Sequence, residues 1–178
     1  MKNCPQAKAC FSSRQYGEEC GVFGIALKEG STLSAAHSVY TALYTLQHRG
    51  QQTAGIASVD KGTFHLHKGP GLVPDVFGDK NLKTLTGPAA IGHVRYASGG
   101  DTATINAQPL VVTHASGSMA VCYNGRLVNS DELRRETENR GGIFQSSNSA
   151  EVIAYLLVRE RMRAGTIEDA VINAMQYM

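Results

Sequence analysis

Residues 53–67, TAGIASVDKGTFHLH, constrain the fold more than any other stretch of this chain. Asp60-Lys61-Gly62 stands between two short runs of strand-forming residues, 53–59 and 63–67. Asp and Gly tolerate the backbone geometry that a tight hairpin needs. A hairpin commits two neighbouring strands to antiparallel pairing, with alternate side chains on opposite faces. The apolar face of such a sheet must then be covered by another layer.

The remaining pattern supplies candidate strands and covering elements. Residues 22–27, 89–96, 110–113 and 118–123 read as further short strands. Residues 33–46 read as a helix, because Ala36, Val39, Tyr40, Leu43 and Leu46 recur at helical spacing. Asn129-Ser-Asp-Glu132 has the form of a capping box and predicts a helix to about Asn139. Asn148-Ser-Ala-Glu151 repeats that form before the apolar run 152–158. Thr166-Ile-Glu-Asp169 opens a last helix that is expected to reach Met178. No C-cap signal closes it, which is the expectation for a piece of a longer protein. The expected class is α+β, one domain over residues 20–178 preceded by an unpatterned leader over 1–19.

Composition narrows the function. The 178 residues include 42% hydrophobic and 18% charged side chains, an ordinary globular balance. Seventeen basic against fifteen acidic residues leave a net charge of +2, too little to argue for nucleic acid or a membrane surface. Arg134-Arg135 and the basic run 159–163 are expected on solvated helix faces. Cys4, Cys10, Cys20 and Cys122 form no CxxC pair, so neither a zinc site nor a disulfide framework is expected. Residues 1–19 lack a signal-type apolar core, and no stretch is long enough to span a bilayer. A cytoplasmic protein with reduced thiols is the expectation, with Cys122 a buried strand thiol.

Cys20 carries the most chemistry. It follows Glu18-Glu19 and precedes the glycine-punctuated run GVFGI. Taken alone, a cysteine at a strand start is most simply a core residue. Gly21 and Gly24, however, leave bare backbone that a substrate can approach. Removal of residues 1–19 would give Cys20 a free α-amine of pKa about 8 beside a thiol of about 8.5. One residue would then hold both nucleophile and base. The cut could be autocatalytic, by attack of the thiol on the Glu19 carbonyl.

Three further stretches have competing readings. His48-Arg49-Gly50 fits a helix C-terminus, with Gly50 as terminator and two cations on the dipole. Arg95, in GHVRYASGG, fits either a surface strand arginine or a two-pronged grip on a carboxylate. Asn124-Gly125 is on its own the strongest hairpin signal. The same pair could offer an amide and a backbone N–H to a tetrahedral oxyanion.

In order along the chain, CGVFGI, LQHRGQ with AGI, GHVRY, AQPL, NG with LVN, and IFQS with EVI resemble one family. It is the glutaminase (class II glutamine amidotransferase) domain of the amidophosphoribosyltransferases, or glutamine phosphoribosylpyrophosphate amidotransferases. The likeness runs from Glu19 to near the C-terminus. Gln51 after HRG, and Tyr96 after Arg95, fit this family better than its sugar-phosphate or asparagine-forming relatives.

The resemblance implies a four-layer α/β/β/α sandwich of the N-terminal nucleophile hydrolase type, here short of its final strands. An open sheet edge would follow, a liability for pairing or aggregation. It implies Cys20 as nucleophile, Asn124 and Gly125 as the oxyanion hole, and Arg95 on the α-carboxylate of glutamine. Tyr96, Arg49 and Ser149 complete the implied substrate-binding set. It implies ammonia release from glutamine, for transfer to phosphoribosylpyrophosphate in the first committed step of purine synthesis. Magnesium and the second substrate would belong to a phosphoribosyltransferase half not found here, and full-length members form homo-oligomers. No cofactor is implied for this chain itself.

Three residues depart from the family pattern. Ser149 stands where an aspartate usually meets the substrate α-amino group. Tyr123 replaces histidine, and Arg126 stands where asparagine is common. An alternative is therefore an inactive homologue that binds glutamine or a partner without turnover.

Overall fold

The computed structural model describes residues 19–96, 104–115 and 117–178. The leader 1–18 with Cys4 and Cys10, and the glycine-rich loop after Tyr96, lie outside the described residues.

The hairpin forms as expected. β2 (Thr53–Asp60) pairs antiparallel with β3 (Thr63–Pro70), with Asp60 opposite Thr63. Lys61 and Gly62 turn the corner at φ 48° and 83°, the two successive positive values that suit the strand twist. β1 (Gly21–Ala26) and β4 (Ala89–Arg95) complete one antiparallel sheet in the order β1-β4-β2-β3. A second sheet consists of β5 (Leu110–His114) and β6 (Gly117–Val121).

Helix α1 (Ala35–Thr45) covers one face of the first sheet. Ser34 caps it, accepting from His37 N. Val39 and Leu43 press on β4 at Gly92, where a Cβ would fall 2.4 Å from Val39 Cγ1. The two short helices α2 (Val73–Val76) and α3 (Asp79–Thr84) have no signal in the apolar periodicity, and they close this core with Val73, Val76 and Leu82. The second core joins Met119 and Val121 of β6 to α4 (Ser130–Asn139), α5 (Ser149–Arg161) and α6 (Ile167–Met175). The layers run α/β/β/α, and no described helix is long and apolar enough to cross a membrane.

Several expectations change. Asn124-Gly125 is not a hairpin turn; it lies in the loop between β6 and α4, and the β5–β6 turn falls after His114. Gly50 terminates a 3-10 turn over Gln47–Arg49 in extended geometry, φ −164°, rather than in the left-handed form. It is glycine because a Cβ would fall 2.7 Å from the Arg95 backbone. Asn129 makes no capping bond to α4; its Nδ2 donates instead to Tyr177 O at 2.7 Å. Asn148 does cap α5, accepting from Ala150 N at 2.9 Å. The Glu151 carboxylate is buried and accepts instead from Gln145 N and Ser146 N, each at 2.8 Å. α6 ends at Met175 and does not reach Met178.

The basic helix faces are only partly solvated. Arg134 stacks over Phe144 at 4.0 Å and Arg159 over Tyr177 at 4.3 Å. Arg159 Nε also donates to the buried carboxylate of Glu160 at 2.8 Å.

The sheet tolerates no side chain at Gly55, whose Cβ would lie 2.1 Å from Gln108 O. Gly55→Ala is expected to cost about 1–3 kcal/mol in urea unfolding, as overpacking does. Gly165→Ala, with nothing within 4 Å, should change stability by no more than about 0.5 kcal/mol.

Candidate active site

The site is built by register. Gly21 of β1 stands opposite Val94 of β4, so Cys20, one residue before β1, meets the end of β4. Its Sγ accepts from Tyr96 N at 3.3 Å and lies 3.6 Å from Tyr96 O. Arg49, at the end of the 3-10 turn after α1, donates Nε to Cys20 O at 2.7 Å. Asn124, from the loop after β6, donates Nδ2 to the same carbonyl at 3.3 Å. Cys20 has φ 57°, uncommon for a residue with a Cβ, and the two donors on its carbonyl help hold that backbone in place.

Arg95 shares a sheet face with His93, two residues earlier on β4, and with Thr53, its partner on β2. The Tyr96 side chain is exposed, and it is the Tyr96 backbone that reaches the sulfur. Asn124 and Gly125 are exposed at the same mouth. Ser149 Oγ meets Ser130 Oγ at 3.2 Å, at the start of α5. The structure thus gathers Cys20, Arg49, Tyr96 and Asn124 through direct hydrogen bonds. It brings Arg95 close enough to act on the thiol by charge. Ser149 contacts α4 instead, and Gly125 follows Asn124 without a hydrogen bond to the cysteine among the described residues.

Burial pushes the Cys20 thiol above its ordinary pKa. The Tyr96 backbone N–H and the Arg95 charge oppose that rise, Glu19 adds to it, and Arg49 opposes it. In this form the Cys20 nitrogen is an amide joined to Glu19, so it offers no basic amine. The other described cysteine differs. Cys122, just after β6, is half-buried, and burial pushes its thiol up to about 12 despite Lys68 nearby. Such burial disfavours the thiolate, the form that a nucleophile or metal ligand needs.

Two cavities lie away from Cys20. One, of 580 Å³, is lined by Leu66, Lys68, Val112, Ser146 and Tyr155. The other, of 700 Å³, opens among Gly24, Ile91, Met119, Ile167 and Val171. Cys20, Arg95 and Asn124 line neither of these two cavities.

Sequence reasoning missed three participants. Gln108 accepts from Tyr123 N at 2.6 Å and donates to Tyr123 O at 3.0 Å, anchoring the loop that carries Asn124. Thr53 and His93 are buried beneath the site on the Arg95 face. The period of two in GHVR was the available signal for His93, because it puts His93 and Arg95 on one face.

The layer order, with a cysteine at the head of a strand, is that of the N-terminal nucleophile hydrolase fold class. The chain belongs to the glutamine amidotransferase domain family, whose model matches residues 76–166. It is 48% identical over 157 residues to the amidophosphoribosyltransferase of Methanocaldococcus jannaschii, covering 88% of this chain and 33% of that one. It is 42% identical over 162 residues to the amidophosphoribosyltransferase of Bacillus subtilis, covering 90% and 33%. A solved structure described as the allosteric regulatory enzyme of purine biosynthesis superposes with a TM-score of 0.77 at 41% identity. That match covers 88% of this chain and 32% of the other. The chain therefore spans about a third of the length of these relatives.

Burial lowers the pKa of His93 from 6.5 to about 4, with the Tyr123 backbone pulling the other way and Arg95 adding to the fall. The unfolded chain then binds the extra proton between those values, so stability should rise with pH through about 4 to 6.5. Urea unfolding across that window is expected to show a loss of up to roughly 3 kcal/mol on acidification. His93→Phe should flatten that slope.

Proposed function

We propose that this chain is the ammonia-releasing part of an amidophosphoribosyltransferase. The observation that carries the reading is the meeting of Cys20 with Tyr96, Arg49 and Asn124 at the end of β4, the strand on which Arg95 precedes Tyr96. Removal of residues 1–19 would expose the Cys20 α-amine. The thiol would give its proton to that amine and attack the side-chain carbonyl of glutamine. Asn124 Nδ2 and Gly125 N–H would take the developing oxyanion, a role in which one donor is typically worth about 3 kcal/mol. The amine would return the proton to the departing ammonia, leaving a glutamyl thioester. Water would then hydrolyse the thioester to glutamate.

Arg95 would pair with the substrate α-carboxylate through two parallel bonds. Tyr96 would wall the pocket, and Ser149 would face the α-amino group. Arg49, through the Cys20 carbonyl, would hold the nucleophile rather than the substrate. Ammonia would pass to phosphoribosylpyrophosphate to form 5-phosphoribosylamine. That step, with its magnesium and any homo-oligomeric assembly, would use a further part of the protein.

Ser149 favours a second reading, binding without turnover. A neutral hydroxyl, already in contact with Ser130, replaces the carboxylate expected opposite an ammonium.

Glutamate release from glutamine separates the two readings. The expected outcome is turnover by protein whose N-terminal residue is Cys20, and none by Cys20→Ala. Active protein that still begins at Met1 would reject the proposed nucleophile. Ser149→Asp should lower KM for glutamine on the order of tenfold, the scale of one added charged hydrogen bond. An unchanged KM would remove Ser149 from the substrate site.

A further inference from the structure

Beneath the cysteine site lies a histidine that the mechanism above does not use. His93 is fully buried at 0% exposure, and neither ring nitrogen makes a well-formed hydrogen bond, although the Tyr123 backbone lies near enough to act on the ring. Leaving such a group unpaired is costly, so an apolar residue would serve a purely structural role better.

Its surroundings point to the oxyanion loop. Gly55 stands across the ladder from His93, and the missing side chain there lets the Gln108 backbone lie directly on the sheet. The Gln108 side chain then binds Tyr123 through both its backbone N–H and its carbonyl. The Tyr123 backbone also stands beside the His93 imidazole. A carbonyl oxygen has two lone pairs, and Gln108 Nε2 occupies one of them. The next residue is Asn124, whose amide already reaches Cys20 O.

We propose that His93 is a positioning residue for the amide donors at 124 and 125. Its ring N–H takes the second lone pair of the Tyr123 carbonyl. That bond fixes the peptide plane leading into Asn124 and Gly125, and so aims both donors at the oxyanion. The inference rests on the amidase reading of Cys20, and its test separates the two.

Wild type, His93→Phe and His93→Asn are compared in protein from which residues 1–19 have been removed, so that each begins at Cys20. Phe keeps bulk without a donor, and Asn restores an N–H. His93→Phe should lower kcat for glutamine hydrolysis by at least tenfold, part of the ~10²–10³ that a lost oxyanion donor costs. KM should change less than about twofold, because uniform substrate binding is untouched. Alkylation of Cys20 by iodoacetamide, which needs no oxyanion hole, should keep its rate. His93→Asn should recover much of kcat. Equal loss of kcat and alkylation without recovery by Asn, or no loss of kcat, would overturn the proposal.

A wild type that alkylates at Cys20 but hydrolyses no glutamine would defeat the amidase reading instead. The Gly125 amide resonance then decides His93 independently. It should move in His93→Phe and return towards its original position in His93→Asn. An unmoved resonance overturns the role.

Discussion

The antiparallel pairing of β1 with β4 is the constraint on which the site depends. It opposes Gly21 to Val94 and so leaves the Cys20 sulfur against the Tyr96 backbone, 76 residues away in sequence. Two other long-range contacts converge on the same residue. Arg49 reaches the Cys20 carbonyl across 29 positions and Asn124 across 104. Each closes a chain loop and so opposes conformational entropy. The packed layers beneath offset that cost, because Phe23 and Ile25 of β1 pack in one core with Val39 and Leu43 of α1. A slip of β1 by one residue on β4 would turn Phe23 and Ile25 away from α1 and move Cys20 off Tyr96.

The two sheet faces have different chemistry. The face under α1 is apolar and tight, with glycine at position 92 where the helix comes closest. The opposite face carries Thr53, Lys68, His93 and Arg95 under the 106–109 segment and the Asn124 loop. Lys68 extends across it and donates to Ala107 O at 2.6 Å. Gln108 continues the polar seam to Tyr123. In the second half of the chain, buried charge likewise organises backbone. Glu151 satisfies the N–H groups ahead of α5, while Glu160 joins Arg159 and Arg163 beside the C-terminal residues. Removing one partner from such a buried group leaves the other uncompensated.

Much of the fold was legible because its signals are local. Short runs of apolar and strand-forming residues marked the six strands of the described residues, and Asp60-Lys61-Gly62 marked the hairpin. Apolar spacing and capping residues marked α1, α4, α5 and α6. The short helices α2 and α3 escaped because four to six residues give no readable period. Asn124-Gly125 misled because the dipeptide encodes a tolerance for unusual backbone, not a partner strand. The capping pattern at Asn129 marked the start of α4, but Asn129 makes no side-chain capping bond there, and its Nδ2 donates to Tyr177 O, 48 residues away.

The chemistry divides in the same way. The sequence by itself determined which side chains could act: a thiol at a strand start, an arginine two residues after a histidine, and an amide beside a glycine. It also determined the strand alternation that puts His93 and Arg95 on one face. Only the tertiary structure decided that Arg49 and Asn124 meet on the Cys20 carbonyl, and that Ser149 meets Ser130. It likewise decided that the Cys20 thiol lies at the sheet end while Cys122 is too buried to ionise readily. The reason is physical. Residue type and spacing fix local conformation, whereas proximity across 29 to 104 positions follows from sheet register and layer packing.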